Sequence, residues 1–253
     1  MKNLFTILTL IICCSFTGAD NVSTRFKTPS GYTRQAVAAG SFGAWLQNLP
    51  LKPTGTHTRL FNGGIARTDA YTAAVVDISV GKHDLQQCAD AVMRLRGEYL
   101  YLQKKYDAIS FNFVSGFKCD YLHYANGYRY KNGQWVKQTG KDYGYKTFMN
   151  YMNLVFSFAS TISLEKELEP VKDFKTLQTG DVFIHGGAPG HCFIVMNVIE
   201  DAHHNKQFLL AQSFMPAQNI QIVKDSSPWF SLARANNLPY GDIINPIYLR
   251  RFR

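Results

Sequence analysis

Three side chains in this sequence could do chemistry together: Cys88 in "DLQQCADAVMRL", His191 in "GGAPGHCFIVMNV" and Gln212 in "FLLAQSF". A thiol becomes a nucleophile when its pKa is lowered, which a helix N-terminus and a neighbouring imidazole both do. Cys88 falls in the first turn of a helical repeat, a position that suits a thiolate. His191 heads an apolar run directly after Gly-Ala-Pro-Gly and could act as general base, in which case a third polar group is wanted to orient its ring. Gln212 occupies that place on the following strand, polar in an otherwise apolar run. Each residue also has a plainer reading. Cys88 lies on the apolar stripe of its own helix and fits a buried small hydrophobe. His191 fits a strand-edge residue bonded to backbone after the turn, and Gln212 a strand-end amide. The readings part on whether the three groups meet.

The elements that must position them are legible. "KHDLQQCADAVMRLRGEYLYLQKKY" predicts a helix with Asp84 as N-cap and Gln87 in the capping-box position. Its stripe is Cys88, Val92, Leu95, Tyr99, Leu102 and Tyr106, spaced four, three, four, three, four. A shorter helix, "SFGAWLQNL", is capped by Ser41, and the β-branched run "AAVVDISV" reads as a strand. After "ISFNFV", another strand, comes a tyrosine-rich, turn-rich stretch and then a second helical pattern, "YKTFMNYMNLVFSFASTI". From residue 180 onward "DVFIH", "HCFIVMNVIE", "QFLLAQSF" and "NIQIVK" form an antiparallel meander. Alternation along the second of these turns Cys192 away from His191 and into the core. Helices first and an antiparallel sheet afterwards predict an α+β fold. The tail "SPWFSLARANNLPYGDIINPIYLRRFR" is expected to pack across the surface without adding a domain.

With 253 residues and 46% hydrophobic content the chain can bury one sizeable core. A net charge of +9 is scattered, with only "RRFR" at 250–253 clustered, so no nucleic-acid arm is present and nucleic acid is not an expected partner. Residues 1–19 read as a secretory signal: a basic start, the apolar "LFTILTLIICC", and "TGA" before Asp20. No later stretch is long and apolar enough for a transmembrane helix. The expected location is therefore secreted or periplasmic, with a lipid anchor at Cys13 or Cys14 as the alternative. Residues 20–253 then form one domain. Three cysteines remain, Cys88, Cys119 and Cys192; either Cys119 pairs with Cys192 or both stay buried as thiols. Their spacing suits no structural zinc site, His203 and His204 read as turn residues, and no cofactor is called for.

A cysteine opening a helix, then "GDVFIHGG" and "GHCFIVMNV", then a strand with a polar residue, resembles the NlpC-type, papain-like cysteine hydrolases of bacterial cell walls. The resemblance implies a papain-like packing of the thiol helix on an antiparallel sheet. It also implies Cys88 as nucleophile, His191 as base, Gln212 as ring-orienting residue, and a cell-wall peptide or other anionic envelope component as partner. The chain departs from that pattern in two ways. Cys88 and His191 are 103 residues apart, which makes the aromatic-rich segment at about 110–165 an insertion, and the usual "DC" is "QQC". Gln86 or Gln87 could donate to an oxyanion or simply cap the helix. Over residues 25–240, "DLQQCADAVMRLRGEYLY", "SGF" and "LLAQSFMPAQ" resemble a secreted bacterial family of uncharacterised domains, which implies no function.

Two further readings compete with a hydrolase. The insertion offers Tyr121, Tyr124, Tyr128, Tyr130 and Trp135 as stacking surfaces for sugars or peptides, which would make the protein an inactive envelope binding module. A partner-binding lipoprotein is the other.

Overall fold

The computed structural model describes residues 20–253, so the expected leader and its two cysteines lie outside the described residues. The helices are α1 (Val22–Arg25), α2 (Phe42–Gln47), α3 (Cys88–Leu102), α4 (Tyr121–Ala125), α5 (Tyr145–Phe158) and α6 (Thr161–Glu167). The strands are β1 (Tyr32–Arg34), β2 (Thr72–Val75), β3 (Ser110–Asn112), β4 (Lys118–Asp120), β5 (Tyr128–Lys131), β6 (Gln134–Lys137), β7 (Glu169–Pro170), β8 (Val182–His185), β9 (His191–Asp201), β10 (Lys206–Gln212), β11 (Gln221–Val223) and β12 (Leu249–Arg251). Among the described residues the architecture is mixed α/β, with a large antiparallel sheet in the order β2-β11-β10-β9-β8-β12-β7 and β1 paired to the far end of β9.

The expected meander is the centre of this sheet, β8 to β11. In β8 and β9 Ile184 faces Cys192 and His185 faces His191, so the Gly-Gly-Ala-Pro-Gly turn closes directly on the histidine. Glycine is required at the end of that turn because a Cβ on Gly190 would come within 2.5 Å of the Thr161 hydroxyl and 2.6 Å of the Gly187 carbonyl. Both faces of the sheet are covered. One packs Cys192, Ile194, Met196 and Leu209 under α3; the other packs Phe193, Val195, Phe208 and Leu210 under the C-terminal segment. Every residue of β9 from His191 to Ile199 is buried as a result.

Helix α3 is sandwiched between the sheet and the insertion, so residues off its predicted stripe, among them Ala91, Met93, Arg94 and Glu98, are buried too. Gly97 lets α5 close on it, since a Cβ there would meet Met152 Sδ at 3.0 Å. The insertion folds as the β3–β4 hairpin, α4, the β5–β6 hairpin and α5.

Four boundaries differ from expectation. Helix α3 begins at Cys88, four residues after the expected Asp84 cap. The Asp84 carboxylate instead accepts the Ala217 N–H (2.6 Å), and the Gln86 carbonyl accepts the Ser213 hydroxyl (2.9 Å), so the lead-in is bound to the β10–β11 connection and cannot wind. The second helical pattern splits at extended Ala159, where Ser160 takes the Ile162 N–H as a new cap. The "AAVVDISV" strand pairs only over its first half, as β2 and the Val76 bridge. The tail enters the sheet as β12 beside β8. Its cations are used internally: Arg250 pairs with Glu165, Arg251 grips Asp181 through both carboxylate oxygens (2.6 and 2.8 Å), and Arg253 pairs with Glu169. Among the described residues no helix is long and apolar enough to cross a membrane.

Candidate active site

Cys88 is the first residue of α3, with Gln87 as N-cap. The Gln87 N–H is satisfied by Asp90 Oδ2 at 3.0 Å, reciprocal capping that fixes the backbone next to the sulfur. First-turn N–H groups have no intrahelical acceptor, so they and the helix dipole face the thiol. The Ala89 N–H adds a small lowering influence on the Cys88 thiol.

His191 is the first residue of β9. Its Nε2 lies 2.7 Å from Gln212 Oε1, with both side chains buried. An amide oxygen only accepts, so Nε2 carries the proton, and Nδ1 is the ring nitrogen left for the sulfur. The ring is clamped by Phe193 edge-on (4.7 Å), Phe214 (5.3 Å) and Tyr240, stacked at 5.0 Å and 23°. Of the three expected residues, His191 and Gln212 are in direct hydrogen-bond contact, and Cys88 opens the helix that packs on β9.

Electrostatics favour the thiolate at Cys88. A hydrogen bond from the Cys192 thiol is the largest influence. Together with the bond and charge of His191 it holds Cys88 well below the ordinary cysteine range, with burial opposing. Cys192 itself is pushed up, by burial first and then by Cys88, so the proton of the pair stays on Cys192. Cys192 is fully buried on the α3-facing side of β9, as alternation requires, but the core it enters includes the sulfur of Cys88. The Cys119–Cys192 disulfide does not form: among the described residues Cys88, Cys119 and Cys192 are free thiols, and Cys119 lies on β4, where burial pushes its thiol up.

A cavity of about 390 Å³ opens at Cys88, walled by Gln87, Asp90, Phe156, Thr161, the Gly187–Gly190 turn and Met215. Asp90 is buried, its Oδ1 has no hydrogen-bond partner, and burial pushes its carboxyl well up. Gln86 is not an oxyanion donor to this cavity. Its Oε1 accepts from Arg94 (3.1 Å), and it lines a different cavity with Tyr145 and Asn153. Gln87 lines the Cys88 cavity, with its side-chain amide on Asp84 (3.2 Å).

The aromatic insertion is mostly interior. Tyr121 and Tyr124 are buried and offer no stacking face; they pack on Tyr151 at 5.3 and 5.8 Å. Tyr128, Tyr130 and Trp135 are half-buried, Trp135 stacked on His123 and Tyr130 set against Phe113 and Phe117. His203 and His204 occupy the β9–β10 turn, where His204 pairs with Glu200.

Three residues of the site had no functional signal in the sequence. Asp90 looks like any N3 acid, Cys192 is sent away from His191 by alternation, and Tyr240 arrives from a tail with no periodicity of its own.

No curated protein and no solved structure matches this chain. A family model does, over residues 22–242, and the chain belongs to that family, described as "Domain of unknown function (4846)".

Proposed function

We propose that this protein is a cysteine hydrolase or transpeptidase acting on an amide, on an NlpC-type, papain-like arrangement of thiol helix and sheet. The observation that carries the reading is Cys88 at the start of α3, its thiol held down by Cys192 and by the His191 ring, whose Nε2 lies 2.7 Å from Gln212 Oε1. A thiolate, an imidazole and a ring-orienting amide in that order are the parts nucleophilic acyl transfer needs.

In the first half-reaction the Cys88 sulfur attacks the amide carbonyl carbon. The C–S bond forms, and the oxygen charge develops toward N–H groups in the first turn of α3. His191, as imidazolium, gives its proton to the departing nitrogen as the C–N bond breaks, leaving a thioester. In the second, water or an amine attacks the thioester, neutral His191 takes its proton, and the thiolate leaves. Gln212 keeps one tautomer in place throughout, and Tyr240 and the two phenylalanines hold the ring in plane. A peptide amide of the cell-wall kind is the substrate class supported by the likeness of the "GD" and "GH" segments to wall hydrolases. Export by the leader-like N-terminus would bring the enzyme to it.

Iodoacetamide tests the nucleophile without knowledge of the substrate. Cys88 in the native protein is expected to be alkylated much faster than glutathione at about pH 6, where an ordinary thiol is protonated. A rate no faster than glutathione's would sink the hydrolase reading.

A further inference from the structure

The hydrolase chemistry above leaves one nucleophile unused. Cys192 is fully buried on the α3-facing side of β9, in the core that also holds Cys88 at the start of α3, and each thiol shifts the other's protonation. The two sulfurs differ in access: Cys88 forms part of the wall of the 390 Å³ cavity, and Cys192 lies behind it in the core between β9 and α3. A small oxidant reaching the cavity therefore meets Cys88 first, with a second thiol behind it on the protein side. From this arrangement we infer that Cys88 and Cys192 are a redox pair, in which a hydroperoxide oxidises the Cys88 sulfur and Cys192 closes a disulfide that takes the nucleophile out of use. The inference goes beyond the hydrolase reading and holds whether or not Cys88 attacks an amide.

The chemistry balances in two steps. The Cys88 thiolate attacks one oxygen of the hydroperoxide. The S–O bond forms, the O–O bond breaks, and the departing oxygen is protonated to water or alcohol, so the sulfur becomes a sulfenic acid as the peroxide is reduced by two electrons. Cys192 then loses its proton and attacks the Cys88 sulfur. The S–S bond forms, the S–O bond breaks, and hydroxide leaves with that proton as water. Oxidation also removes an obstacle to the second step. Burial is the main reason the Cys192 proton is held, but the negative charge on Cys88 adds to it, and a sulfenic acid is neutral. An external dithiol reverses the bond through a mixed disulfide. Cys119, on the β3–β4 hairpin, is the internal control.

The test is a peptide map. The full chain is reduced with dithiothreitol, freed of it, exposed to a small excess of hydrogen peroxide, then denatured, alkylated and digested without reductant. The expected product has lost two hydrogens, yields a linked peptide containing Cys88 and Cys192, and returns to the starting mass with dithiothreitol. Cys119→Ser is expected to keep the linked peptide. Cys192→Ser, with Cys192→Ala as its backup if the serine variant misfolds, is expected to lose it and to carry a dimedone-trappable sulfenic acid at Cys88. The inference is overturned if wild-type Cys88 gains two or three oxygens with no linked peptide, if the link runs to Cys119, or if Cys88 stays unmodified. The linked peptide is read without amide turnover, so its absence counts against the redox pair alone, and slow iodoacetamide labelling counts against the hydrolase.

Discussion

At the head of β9, His191 and Gln212 share a hydrogen bond, Cys192 and His191 hold the Cys88 thiol down, and a cavity opens at Cys88. On the other side of α3, the insertion buries polar groups among rings. Tyr121 has no exposure and its hydroxyl has no partner, and at the end of α6, against the insertion, Glu167 accepts a single backbone N–H, from Asn112 of β3 (2.5 Å). Both regions pay for taking polar atoms out of water. At the thiol end the groups compensate one another by sharing protons, which leaves them able to exchange them. In the insertion they are carried along by aromatic packing such as Tyr101 on Phe148 at 4.5 Å, and their protons have nowhere to go. Burial alone therefore does not mark a working site; mutual contact among titratable groups with access from outside does.

The largest expected effect breaks the contact itself. His191→Ala removes a hydrogen bond and the positive charge that hold the Cys88 thiol down. An opposite charge is worth one to three pKa units, so alkylation of Cys88 near pH 6 should fall on the order of 10²-fold, with its pH midpoint moving up. Gln212→Ala should give a smaller shift in the same direction, since it frees the ring without removing it. An unchanged pH profile in His191→Ala would place the thiol end with the insertion, as packing only.

How much of this was readable in the chain follows from what each signal measures. The spacing of Val92, Leu95 and Tyr99 correctly gave one buried face of α3, but the helix is covered on a second face by α5, and Leu102 ends the helix 59% exposed. The Asp84 cap failed because tertiary bonds to Ala217 outcompete local capping. A polar residue in an apolar strand signalled Gln212, yet Asn197 in β9 gives the same signal and bonds Gln47 at 3.1 Å; the signal reports a buried hydrogen bond and does not say what for. Cys192 was placed in the core by alternation, but alternation is silent about a helix end reaching the head of the strand, where both faces are close. Tyr240 could not be read at all, because a stacking residue from an irregular tail has no period.

A mid-sized effect sharpens the comparison from the other region. Burial pushes the Glu167 carboxyl up to about 7, from an ordinary 4.5. The folded state thus holds a proton that the unfolded chain has released. The stabilising term is whole below about pH 4.5 and is lost as pH rises through about 7. Glu167→Gln keeps an acceptor for the Asn112 N–H and carries no charge. It should flatten the fall of unfolding free energy across this window and gain on the order of 2 kcal/mol at pH 8, measured by denaturant titration. Cys88 alkylation should be unmoved. A variant that slowed alkylation would mean the two regions are coupled through α6 and the Gly187–Gly190 turn, and the contrast drawn above would fail.

The smallest effect asks whether the insertion's orphaned hydroxyl is only a cost. Tyr121→Phe leaves the ring in its contacts with Tyr106, Phe148 and Tyr151 and deletes an oxygen that bonds to nothing. Removing a buried unsatisfied polar atom without changing shape relieves its desolvation penalty, so the variant should be more stable by about 1 kcal/mol. The expected reading is a raised denaturation midpoint at unchanged slope. A loss of stability instead would mean that the Tyr121 hydroxyl is used by the folded chain. The insertion would then hold a polar group in a working contact, which is the property that sets the thiol end apart.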